Sequence, residues 1–130
     1  MPPTFLHIQE VLEVHRNQIE LYGGSEGIRD LGLLVSAIAM PQAGFGGQYL
    51  HADIFEMAAA YLFHLAKNHP FIDGNKRTAS MAAFTFLHLN GQTLTATEEE
   101  FEKVVLAAAQ SEMDKQQIAA FFRINSQPMA

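Results

Sequence analysis

The chain has no cysteine, which removes both a disulfide framework and any thiolate metal site and fits a reducing compartment. Internal repeats and low-complexity tracts are also missing. No apolar run reaches membrane-spanning length, because Lys67, Asn68 and His69 interrupt the longest one, so no membrane partner is expected. The opening residues, Met1-Pro2-Pro3-Thr4, carry no basic segment leading into an apolar stretch; no secretion signal is expected, and the expected location is cytoplasmic. Cations are scarce. Eight Lys and Arg residues against fourteen Asp and Glu give a net charge of −6, which argues against a protein that grips a nucleic acid backbone through a basic face. Two of those cations, Lys76 and Arg77, are adjacent, and a local positive spot on an acidic protein suits a small polyanion.

What is present is enough apolar residue, 48% of 130, to build a core in one domain spanning residues 1–130. Ile8, Val11, Leu12, His15, Ile19 and Tyr22 recur at helical spacing and predict a first helix with one buried face, ended by Gly23-Gly24. After a loop, Asp30 can cap a short apolar helix from Leu31 to about Met40, stopped by Pro41; Arg29 and Asp30 read as a local ion pair or cap. Gln42 to His51, with three glycines around Phe45 and Tyr49, reads as a small hairpin or flap. Exposed aromatics there would suit capture of a peptide along the edge, whereas a plain loop would pack them down. Asp53 caps a third helix, Ile54 to about Asn68, apolar around nearly its whole circumference and therefore central. A fourth, from about Asn75 to Leu89, is similar after its first turn and stops at Asn90-Gly91. Thr93 to Thr95 reads as an extended linker. Thr97 and Glu100 form a capping box for a helix to about Gln110, Lys115 to about Ile124 forms the last helix, and Ser126 to Ala130 reads as a frayed tail. The fold class is all-α, a bundle of about six helices with a small β-hairpin flap.

Chemistry concentrates between the third and fourth helices, in His69-Pro70-Phe71-Ile72-Asp73-Gly74-Asn75-Lys76-Arg77-Thr78. Asp73-Gly74 is a turn dipeptide and Asn75 favours helix initiation, so the following turn offers free N–H groups beside two cations, a phosphate site. His69 precedes a proline that forces its backbone out of the helix, and an imidazole is suited to taking a hydroxyl proton at neutral pH. Asp73 would repel a phosphate unless a cation such as Mg²⁺ lay between them; otherwise it caps the helix or makes the turn. Gly74 permits a left-handed backbone, and Asn75, Lys76 and Arg77 supply donors from backbone and side chain. Phe71 reads as a plug into the core. His7, His15, His51, His64 and His88 read as structural, since no pair has the spacing of a helical zinc site, and no phosphate-binding loop of the Walker type is present.

The string from His69 to Arg77 resembles the signature of the Fic/Doc superfamily, H-x-F-x-D/E-G/A-N-G/K-R. Tyr22-Gly23-Gly24, Gly27-Ile28-Arg29-Asp30, the flap and Phe86-Leu87-His88-Leu89-Asn90-Gly91 resemble its Doc, or death-on-curing, branch. The resemblance implies His69 as general base for a target hydroxyl, Asp73 as Mg²⁺ ligand, and Gly74, Asn75, Lys76 and Arg77 as the hole binding the phosphates of ATP. It implies further that Gln42 to Leu50 holds the target peptide.

Lys76 and Ser80 stand where AMP-transferring Fic enzymes resemble each other in a second glycine and a second arginine. In Doc-like proteins this goes with a reversed nucleotide whose γ-phosphate faces the base. The implied activity is phosphorylation of a protein Ser or Thr, with elongation factor Tu as the family's target, in a toxin silenced in trans by an antitoxin that folds into an exposed apolar groove. Gly74 replaces an alanine often seen in Doc, and Met81 stands at an expected asparagine. The alternatives are AMP transfer and a Fic-fold binding module without activity.

Overall fold

The computed structural model describes residues 2–129. Six helices lie in the order α1 (Ile8–Tyr22), α2 (Leu31–Ala39), α3 (Ile54–Asn68), α4 (Asn75–Leu89), α5 (Glu98–Ala109) and α6 (Lys115–Ile124). Among the described residues, none is long and apolar enough to cross a membrane. The caps read from the sequence are in place. Asp30 accepts from the Leu33 N–H, Asp53 from the Glu56 N–H, and Thr97 from the Glu100 N–H with Glu100 answering to the Thr97 N–H. Each satisfies an N–H that the first helical turn would otherwise leave unpaired.

Helix α3 is the hub, packed against α2, α4, α5 and α6. Ala58, Ala59 and Ala66 of α3 and Ala79, Ala82 and Ala83 of α4 are fully buried, and small side chains allow the two helices to approach closely. Tyr61 brings the one buried phenol of that interface; it accepts the Leu6 N–H at 2.9 Å and lies against Phe86. Burial pushes its ionisation up to about 12. Not every predicted apolar face is inside. Tyr22 is exposed, as are Met81 and Phe84 on α4, so the outer side of α4 is less covered than its composition suggests.

The hairpin forms between β1 (Gly44–Phe45) and β2 (Gln48–Tyr49), after a 3₁₀ turn at Met40–Gln42 that contains the expected stop, Pro41. Its aromatics are both exposed, Phe45 at 94% and Tyr49 at 46%, although Tyr49 also packs edge-on against Phe5. A second two-stranded sheet corrects the expectation of a linker and a frayed tail. β3 (Gln92–Leu94) pairs antiparallel with β4 (Ser126–Pro128), Gln92 opposite Pro128 and Leu94 opposite Ser126. Ala130, the last residue assigned to that tail, lies outside the described residues. Pro128 is tolerated because it sits at the end of an edge strand, where no ladder donor is needed.

Helix α6 is held to the start of α3 by Arg123, which reaches Asp53 at 2.9 Å and Glu56 at 3.3 Å. Beside these ion pairs Lys115 lies among two histidines. Lys115 Nζ is 3.3 Å from His64 Nε2, and the His51 ring is buried nearby. Burial first, then Lys115 and His51, hold His64 down to about 4; burial and Lys115 also lower His51, against the opposing pull of Glu56 and Asp53. Both groups are held below the ordinary 6.5 of the unfolded chain, so the unfolded chain takes up protons first as pH falls. Stability is therefore full above about pH 6.5 and declines toward pH 4. Between pH 7.5 and 4.5, urea unfolding is expected to show a loss on the order of 2 kcal/mol from His64, allowing for solvent screening of the half-buried ring. His64→Phe should flatten that dependence, and an unchanged slope in this variant would remove the assignment.

Candidate active site

Helix α3 ends in an unusual backbone. His69 is left-handed, with φ 48° and ψ 55°, a conformation that is uncommon without glycine. The exposed carbonyls of this helix end are met by Arg29, whose Nε donates to His69 O at 2.6 Å and whose Nη2 donates to Asn68 O at 2.8 Å. A guanidinium there also matches the negative end of the helix dipole. Arg29 therefore does not pair with Asp30, as the sequence reading allowed; Asp30 caps α2 alone, and Arg29 clamps the end of α3. The same segment holds the loop by its main chain. Arg29 and Asp30 N–H both donate to Pro70 O, Ile72 N–H donates to Gly27 O, and Ile28 bridges Phe71. The His69 ring is left exposed.

Phe71 is buried to 1% and fixes the middle of the loop as expected. Two side chains grip it. Asn75 accepts the Phe71 N–H at 2.9 Å and donates to Phe71 O at 3.0 Å, and the His15 ring stacks on the Phe71 ring at 3.8 Å with 6° between planes. Asn75 thus has a structural task beside the one expected of it. Its amide oxygen and one of its two amide N–H groups are used inside the loop, which leaves the second N–H, and the helix cap is Gly74, with Asn75 the first helical residue.

Asp73 is exposed, and both carboxylate oxygens are held by main chain: Oδ1 accepts the Gly74 N–H at 2.9 Å and Oδ2 accepts the Ser25 N–H at 3.2 Å. The Ser25 and Gly74 N–H groups, followed by the nearby positive charge of Arg77, hold its carboxyl below the usual carboxylate range. The contact with the loop after α1 depends on glycine, since a Cβ at Gly24 would lie 2.7 Å from Asp73 Oδ2. Asp73 thus makes the turn and also ties it to Ser25, while each oxygen keeps a lone pair.

Gly74 is left-handed, φ 74°, and no side chain caps α4. The first main-chain bond of the helix runs from Thr78 N–H to Gly74 O, so the N–H groups of Asn75, Lys76 and Arg77 precede the ladder. Free donors, a positive helix end and the exposed cation Lys76 are what an anion needs at a helix start. Arg77 leans back toward α1, its guanidinium 5.0 Å from the centre of the Tyr22 ring and one nitrogen 3.5 Å from Gly23 O. That stacking explains why Tyr22 is outside.

An exposed, ionised carboxylate next to an anion site fits a hard divalent cation such as Mg²⁺. Among the described residues no three His, Asp or Glu side chains could hold a metal by themselves, so such an ion would share its shell with phosphate oxygens and water. Asp73, Gly74 and Arg77 lie together where α4 begins, Lys76 is exposed in its first turn and His69 is exposed at the other end of the loop; two residues that the sequence did not single out hold this loop from outside. His15 was readable only as one more position on the buried face of α1, and Arg29 only as a neighbour of a cap.

A helical domain with a histidine, an acid and an uncapped helix start in this order has the arrangement of the Fic type. The chain belongs to the Fic/Doc family, whose model matches residues 5–87, from the approach to α1 through the flap and nearly all of α4. It is similar to Toxin Doc of Mycolicibacterium smegmatis, 44% identical over 101 residues that cover 76% of this chain and 78% of that protein. Protein kinase doc of Escherichia phage P1 is 36% identical over 100 residues, 77% of this chain and 79% of the relative.

Proposed function

We propose that this chain is a Doc-type toxin, a single Fic/Doc domain over residues 1–130 that acts in the cytoplasm and transfers the γ-phosphate of ATP to a Ser or Thr hydroxyl of a protein, with elongation factor Tu as the expected target. The observation that carries this reading is the start of α4: three unpaired N–H groups and Lys76, joined by one short loop to the residue that carries an exposed imidazole. The relative from phage P1, by its name a protein kinase, supports phosphoryl transfer.

In this mechanism the α4 N–H groups and the Lys76 and Arg77 cations bind the phosphates and offset charge that builds on them. His69 accepts the proton of the target hydroxyl. The hydroxyl oxygen forms a bond to the γ-phosphorus, the bond from that phosphorus to the β–γ bridging oxygen breaks, and ADP leaves with the electron pair. Asp73 would hold Mg²⁺, which supplies charge neutralisation at the phosphate oxygens when bound. Arg29 keeps the backbone of His69 in place. The flap, with Phe45 exposed, offers an edge and an aromatic side chain to an extended target peptide.

Silencing by an antitoxin in trans is part of the proposal. Leu31 and Val35 are exposed one turn apart on α2, and Ile28 and Ile72 are exposed on the paired loop segments beside the site, apolar surface of the kind a folding segment would cover. Incubation with elongation factor Tu and ATP labelled at the α or γ position tests the reaction. Label from the γ position alone is expected. Transfer from the α position would mean AMP transfer, and transfer from neither would leave a binding module.

A further inference from the structure

His15 is 5% exposed and belongs to α1, yet its ring is built into the loop that precedes α4. Nε2 lies 2.8 Å from Asp73 O, so the ring carries its proton there and donates to that carbonyl. The peptide unit joining Asp73 to Gly74 is therefore held at both ends: its oxygen by His15 and its N–H by the Asp73 carboxylate. This matters because Gly74, at φ 74° and ψ 19°, has the angles of the third residue of a type II turn. Such a turn has a neighbour of similar energy, type I, reached by flipping the central peptide. The flip would take the Gly74 N–H off the Asp73 carboxylate and free that carboxylate to rotate, and it would change the angle at which α4 begins.

We infer that His15 is a positioning residue for the nucleotide half of the site: by gripping Asp73 O while stacked on Phe71, it locks the Asp73–Gly74 peptide and so aims both the Asp73 carboxylate and the first N–H groups of α4. The stack fixes the ring plane, and Phe71 is in turn held by Asn75, so the chain of contacts closes on the helix it orients. Burial keeps water from replacing the His15 donor. Arg29 grips the other half of the loop, at His69. The two clamps should separate in kinetics, His15 acting on nucleotide affinity and Arg29 on turnover.

This inference rests on the reading of the α4 start as the nucleotide site. Its test compares His15→Phe, which keeps the stacked ring and loses the donor, with His15→Gln, whose amide can reach the same carbonyl. The magnesium complex of a non-hydrolysable ATP analogue is titrated calorimetrically into each full-length protein, and folding is checked by thermal unfolding. His15→Phe is expected to bind at least fivefold more weakly and to raise KM for ATP more than it lowers kcat, while His15→Gln recovers binding to within about twofold of wild type. Arg29→Gln should show the opposite split, with affinity kept and kcat reduced. Wild-type affinity in His15→Phe would overturn the inference. Should that variant not fold, a folded His15→Gln with weakened binding overturns it instead. If the wild-type protein takes up none of the analogue, or if Asp73→Asn leaves its affinity unchanged, the nucleotide site itself has been misplaced and the inference falls with it.

Discussion

His69→Ala is expected to leave a folded protein that transfers phosphate about 10²- to 10⁴-fold more slowly, the range removed with a positioned general base. The separation of activity from stability follows from where the ring is. It is exposed, and the contacts that shape this corner are made by the His69 carbonyl, which the substitution preserves. Surface replacements usually change stability by no more than ~0.5 kcal/mol, and the left-handed backbone at this position adds a further small cost for alanine. Steady-state phosphorylation assays at saturating ATP, with urea unfolding alongside, measure both. Nucleotide affinity should change little, because the phosphates are held by α4. A variant that still phosphorylates at the wild-type rate, or still arrests growth, would remove His69 from the chemistry.

Phe71→Ala is expected to be the most destabilising substitution in the motif, by about 3–5 kcal/mol, the range for a buried phenylalanine cut to its β-carbon. The ring is 1% exposed and has His15 stacked on one face. Its loss leaves a cavity next to a polar ring and frees the peptide that carries Asp73. Nucleotide binding should therefore fail along with stability, in contrast to His69→Ala. Urea titration by circular dichroism gives the stability change, and calorimetry gives the binding. Phe71→Leu, which fills part of the space, should cost only about 1–2 kcal/mol and retain some affinity. A loss below ~1 kcal/mol in Phe71→Ala would mean that the loop does not hang on this ring.

How far these roles could be read from the sequence depends on how local their physics is. All six helices were legible, because each has an apolar face or an apolar circumference and three have a cap readable in the sequence: Asp30, Asp53, and Thr97 with Glu100. The hairpin was legible from glycines two or three residues apart. The pairing of β3 with β4 was not, since it joins three-residue segments more than thirty positions apart, one of them ending in proline. At the site, residue types were visible but their partners were not. Asn75 is a good donor in any string; only the fold shows that both ends of its amide are taken by Phe71. His15 and Arg29 reach the loop from 58 and 40 positions away, and no spacing rule reports such contacts. Tyr22 satisfied the period of α1 but lies outside, because Arg77 needs its ring.

The second sheet has a consequence for how the molecule can be handled. Thr4 is bonded through its main chain to the Asn90 side chain, and Met129 N–H to the carbonyl of Gly91, so the two ends of the described chain are moored to consecutive residues. Those residues follow the C-terminus of α4, and a fifteen-residue helix is about 22 Å long. Anything attached before Thr4 or after Met129 leaves the protein from the far end of α4, away from the anion site. Tethering by either end, or joining the two through a short linker, leaves the mouth of the site facing outward.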